Sequence, residues 1–201
     1  MRSKFAKLAQ VATLWLALVF TFSCSGNSDS NDGGGGGNES DKGNDIENYR
    51  TVEIGDQVWM AENLNYNVSG SRCYNDSIAN CTKYGRLYDW ATAKTVCPDG
   101  WHLSSFAEWF TLIDFIESHN ECVDCAGRFL DNYGFSALSG CFYSYGLSLF
   151  SSVGNFGYWW TDTESPSSNA YEITYGDRYI NFSSRGNKTN LLSVRCVKDN
   201  N

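Results

Sequence analysis

His119-x-x-Cys122-x-x-Cys125, with Cys141 further along, brings one imidazole and three thiols into a donor set that could hold a structural zinc ion. The same thiols could instead form disulfides, and the choice turns on the compartment the chain occupies. Cys73 and Cys81 flank the segment Tyr74 to Asn80, which a disulfide would close. With Cys24 set aside, seven of the eight Cys remain, so they cannot all pair within one chain. Cys122, Cys125 and Cys141 leave one thiol over, most simply with Cys141 bridged to one of the other two, and Cys125 is the expected partner. A Cys-x-x-Cys redox site would need a thioredoxin-like setting, which is absent. The two His, His102 and His119, show no Ser, Cys or carboxylate constellation in sequence, and no spacing singles out a pair of acids. These patterns lead us to expect structural His residues, no cofactor and no catalytic residue.

The compartment is read from the start of the chain. Arg2, Lys4 and Lys7 precede an apolar stretch from Leu8 to Phe22 that is short for a spanning helix, so residues 1–23 read as a secretory signal. Ser23-Cys24 followed by Ser, Gly, Asn and Asp resembles the cleavage and lipidation site of bacterial lipoproteins, although Thr21 and Phe22 depart from its aliphatic and small positions. Cys24 is therefore the expected acylated residue. Residues 24–47, with five consecutive Gly from Gly33 to Gly37, cannot offset the cost of ordering and read as a flexible tether. The expected location is the outer membrane, held by lipid and facing the periplasm or the cell surface. Export makes disulfides the default and zinc the weaker reading. Removing three positive charges with the signal leaves 12 basic and 23 acidic residues, a net charge of −11. Such a field disfavours nucleic acid as a partner.

The remaining segment, residues 48–201, is long enough for a real core and shows no repeat of fixed period. Gly55-Asp56 between two β-favouring runs predicts a hairpin over 51–60. Asp89 to Val96 predicts a short helix, halted by Cys97-Pro98-Asp99-Gly100. Ser105 and Glu108 form a capping box that opens a second helix, with Phe106, Trp109, Ile113 and Ile116 at three- and four-residue spacing as far as about Ser118. Later runs, at 135–143, 157–161, 170–174, 178–182 and 191–197, read as strands. Two helices followed by antiparallel strands define an α+β domain.

Six stretches carry a resemblance: Val52-Glu-Ile-Gly-Asp-Gln-Val-Trp-Met-Ala-Glu-Asn-Leu64, Tyr84-Gly-Arg-Leu-Tyr-Asp-Trp90, Cys97-Pro-Asp-Gly-Trp-His-Leu103, Asp131-Asn-Tyr-Gly-Phe-Ser-Ala-Leu138, Tyr158-Trp-Trp-Thr-Asp-Thr-Glu164 and Ser193-Val-Arg-Cys-Val-Lys-Asp199. Their order resembles that of the Fibrobacter succinogenes major paralogous domain family. The resemblance implies an exported protein with a C-type lectin-like fold, two helices packed on antiparallel sheets and stapled by disulfides. It implies no enzyme class, because the family carries no established general activity. It also implies a long bridge between Cys97 and Cys196, as in lectin-like domains. Two departures are the Cys cluster at Cys122, Cys125 and Cys141, and Ser104 where the family has Pro.

The expected function is a lipid-anchored binding or surface-interaction module without catalysis. A lectin-like surface makes a polysaccharide-binding adhesin the first alternative, with Trp159, Tyr175, Tyr179, Asn181 and Arg185 as the candidate ligand residues. Of adjacent Trp159 and Trp160 in a strand, we expect Trp160 in the core and Trp159 exposed. The calcium-dependent lectin motifs Glu-Pro-Asn and Trp-Asn-Asp are absent. A structural envelope protein and a distant sulfatase-modifying-type enzyme are further alternatives. The last lacks its copper-binding Cys pair, since Cys196 is the one Cys after Cys141.

Overall fold

The computed structural model describes residues 45–121, 126, 130–138, 140–151, 156–166, 168–176 and 180–199. The expected signal, Cys24 and the expected tether as far as residue 44 lie outside these residues, as do Cys122, Cys125 and Tyr179. The expected Cys125–Cys141 bridge and the zinc set therefore also fall outside the described structure.

The predicted hairpin forms from β1 (Thr51–Ile54) and β2 (Gln57–Met60), turning at Gly55 with φ +60°. Two antiparallel strands complete its sheet: β3 (Trp101–Leu103) and β9 (Cys196–Lys198), in the order β1-β2-β9-β3. The helix α2 (Trp90–Ala93) is shorter than read, and the Asp89 carboxylate caps it by accepting from the Thr92 amide at 2.8 Å. The capping box forms as predicted at α3 (Phe106–His119), which buries Trp109, Leu112 and Ile116.

A third helix, α1 (Ile78–Tyr84), begins in what reads in sequence as a loop between Cys73 and Cys81 and runs on past Cys81. A 3₁₀ turn over Tyr74–Asp76 precedes it, and the Asn80 side-chain Nδ2 donates to the Tyr74 carbonyl at 2.9 Å. These local bonds, with the Cys73–Cys81 disulfide, supply the order that helix periodicity over so few residues cannot. Gly85 ends α1 at φ +77°, and a Cβ there would stand 2.7 Å from Cβ of Asn63.

The late chain adds a hairpin, β4 (Phe142–Ser144) with β5 (Leu149–Ser151), and an antiparallel sheet of β6 (Gly157–Glu164), β7 (Asn169–Tyr175) and β8 (Ile180–Asn187). Residues 191–197 do not form one strand. Leu191 exchanges backbone bonds with Tyr143, Leu192 with Tyr88, and Ser193 bonds Tyr158 and Trp160. The Val194 carbonyl then accepts from Leu64, and that of Arg195 from Ser104, before β9 begins. This segment is a seam that ties the sheets together, each residue bonding a different part of the chain. The domain is α+β; among the described residues it has three α-helices, three antiparallel sheets and two disulfides.

Strand β6 separates two apolar clusters. Trp159 packs with Trp59, Trp109, Phe135 and Ile173, while Trp160 packs with Tyr88, Trp90, Leu103 and Leu192. Both Trp159 and Trp160 are 0% exposed, which corrects the expectation that Trp159 faces solvent. Alternation does send their side chains to opposite faces, but both faces of β6 are covered. Their indole N–H groups are satisfied inside: Trp159 donates to Asn63 Oδ1 and Trp160 to the Tyr88 carbonyl, each at 2.8 Å. Ser104 is buried and accepts from the Trp109 indole at 2.8 Å.

Candidate ligand-binding cleft

Asn63 and Arg195 form the polar centre of the domain. The Arg195 guanidinium donates to Asn63 Oδ1 at 2.8 Å, to the carbonyls of Met60 at 3.0 Å and Phe135 at 2.5 Å, and to that of Ser136 at 2.7 Å. It lies 4.2 Å from the centroid of the Phe135 ring. Burial pushes its pKa down to about 9, against the raising influence of Glu62 and Asp131, so it stays charged at neutral pH. With its donors spent on the protein's own carbonyls, this group holds the fold and offers nothing to a ligand.

His102 is engaged between Glu108 and Asp199, carboxylates that the sequence reading did not connect with it. Glu108 is six positions away and its role was legible as a cap; Asp199 meets His102 only through the pairing of β3 with β9. His119 sits at the end of α3, where Nδ1 donates to the Phe115 carbonyl at 2.8 Å and the ring stacks on Phe115. Among the described residues, no group of three or more His, Cys, Asp or Glu is arranged to hold a metal ion.

Trp159 is sealed in the core, and half-buried Tyr175 packs toward it at 6.1 Å between ring centroids. Asn181 and Arg185 are exposed on β8, and Tyr179 lies outside the described residues. The exposed Tyr145 lies in an open cleft with a volume of about 760 Å³, lined also by Asp89, Trp90, Ala91, Lys188 and Thr189.

Three chain segments build this cleft. The start of α2 contributes Trp90, whose indole donates to the Thr161 carbonyl at 2.8 Å and is thereby fixed. Lys94 and Lys188 place their ammonium groups 4.6 and 4.5 Å from the Trp90 ring centroid. Lys188 also pairs with Glu164, which holds that carboxyl below its ordinary range. The second segment is the turn between β4 and β5. There Tyr145 is 49% exposed and Leu147 70%, with the Tyr145 ring set edge-on to Tyr143 at 5.0 Å. The third is the turn after β8, where Thr189 donates through its hydroxyl to Asn187 Oδ1 at 2.9 Å.

A family model for the Fibrobacter succinogenes major domain matches residues 52–198. The chain belongs to the Fibrobacter succinogenes major domain family. Comparison with curated proteins and with solved structures finds no significant match. In this Fibrobacter succinogenes major domain, the match runs from β1 through β9, so it covers every element that builds the cleft. Tyr145-Gly146 between two β-favouring runs was a readable turn signal for an exposed aromatic. Nothing local in the sequence places Trp90 and Lys188 beside it, since they lie about a hundred residues apart.

Proposed function

We propose that this protein is an exported, lipid-anchored binding module, without catalysis, that presents the Tyr145 cleft to a ligand at the outer membrane. The observation that carries the reading is the half-exposed Tyr145 ring, held by Tyr143 beside an open, largely apolar cleft with polar groups at its edge. A C-type lectin-like fold accords with the first and last strands sharing a sheet and with the Cys97–Cys196 bridge across the domain. Anchoring rests on the leader and on Cys24.

Polysaccharide binding is the second reading, favoured by an aromatic face next to the hydroxyl of Thr189 and the charged ends of Asp89 and Lys188. The test is binding of the full chain in detergent to a panel of soluble and insoluble polysaccharides and to envelope fractions. Replacement Tyr145→Ala should weaken binding by about tenfold or more while the melting transition stays in place, as expected for an exposed aromatic anchor. Unchanged affinity in that variant would remove the cleft from consideration. The anchor is tested separately: Cys24→Ser should abolish metabolic labelling with palmitate and move the protein from the membrane to the soluble fraction. Persistent labelling would overturn the assignment of Cys24.

A further inference from the structure

His102 in β3 has both ring nitrogens engaged by carboxylates. Nε2 lies 2.7 Å from Glu108 Oε1, and Nδ1 lies 2.6 Å from Asp199 Oδ1. These anions come from different parts of the fold. Glu108 belongs to the cap of α3, where its Oε2 accepts from the Ser105 amide at 2.7 Å and the Ser105 hydroxyl at 2.8 Å. Asp199 follows β9, and its backbone N–H donates to the Gly100 carbonyl at 2.9 Å.

A protonated imidazole has one N–H for each carboxylate. A neutral one has a single N–H, so one carboxylate must then face a ring lone pair. Glu108 is held in place by Ser105 whatever His102 does. The Asp199 side chain is 46% exposed, and water can replace its bond to His102. Asp199 is therefore the arm that lets go. Movement stops short of β9, because Cys196 is bonded to Cys97.

We propose that His102 is a proton-operated latch, which holds the Asp199 side chain to the cap of α3 when protonated and releases it on losing the proton. The charged groups that face His102 are Glu108 from α3 and Asp199 from the segment after β9. Burial disfavours the charged ring, but the hydrogen bonds and charges of Asp199 and Glu108 outweigh it, so the pKa lies above the ordinary 6.5. A raised pKa in the folded state means that the latch stabilises fully below about pH 6.5, the unfolded value, and that this contribution is lost as pH rises through the folded value.

The test is an NMR titration of His102 in the full chain, combined with amide hydrogen exchange corrected for intrinsic rates. His102 should titrate above 6.5, and protection of the Asp199 amide should fall by about tenfold or more between pH 6 and pH 9, while that of Cys196 does not. The exposed-site variant Asp199→Asn should lower the His102 midpoint and flatten the exchange profile. A His102 midpoint at or below 6.5, or the same pH course of protection in Asp199→Asn, would overturn the latch.

Discussion

Replacing Arg195 with Met should cost at least about 4 kcal/mol of stability and move the urea midpoint so far that much of the protein is unfolded at 37 °C. Methionine is similar in length and apolar, so the lost volume is small. What is lost is the donor set: the carbonyls of Met60, Phe135 and Ser136 would each lose a charged donor, and Asn63 Oδ1 would keep only the Trp159 indole. Arg195 is 0% exposed, so water does not stand ready to replace those bonds. An orphaned buried acceptor costs about 1–3 kcal/mol, and several are created together. Arg195→Lys keeps the charge but not the planar fork, and should fall between the two. Equilibrium unfolding of the three proteins decides the matter; a Met variant within about 1 kcal/mol of the parent would show that these bonds contribute little net stability.

Removing the Cys97–Cys196 bridge by a double Ser replacement should have a comparable effect. The two Cys are 99 positions apart, with Cα atoms 5.9 Å apart in the fold. Closing a loop of about 100 residues restricts the unfolded chain by roughly 4.7 kcal/mol in the chain-entropy treatment. The Cys73–Cys81 bridge spans only 8 positions and should be worth roughly half as much. Cys196 itself, the first residue of β9, is fully buried within the Trp160 cluster, so the double variant also places a hydroxyl in the core. A Cys97→Ala, Cys196→Ala pair separates the two contributions: a large loss in both variants supports the cross-link, whereas a loss confined to the Ser variant assigns it to burial of polar groups. Calorimetry under oxidising and reducing conditions provides the measurement.

The features legible in the sequence share one property, which is that their partners are close along the chain. The capping box at Ser105 and Glu108 is a contact over three positions, and the hairpin at Gly55 is a turn whose backbone requires a left-handed residue. Helix α1 was missed because a seven-residue helix has too little periodicity to register and draws its order from a disulfide and the Asn80 bond to Tyr74. The run 191–197 was read as a single strand from its β-favouring residues. Propensity cannot tell a strand with one partner from a seam whose residues each pair with a different neighbour.

Composition and local spacing by themselves determined the α+β class, the hairpin at Gly55 and the start of α3, because each follows from a hydrophobic period or a contact within one turn. Which aromatic residues face water was decided only by the tertiary structure. Trp159 is interior because clusters assembled from both ends of the domain cover the two faces of β6, and its own indole bond reaches Asn63, 96 positions away. Tyr145 is exposed because its turn projects from a two-stranded sheet. The partners of His102 were decided in the same way, since Asp199 reaches it across 97 positions through the registry of β3 with β9. Burial and charge pairing depend on such long-range contacts, and no period in the sequence encodes them.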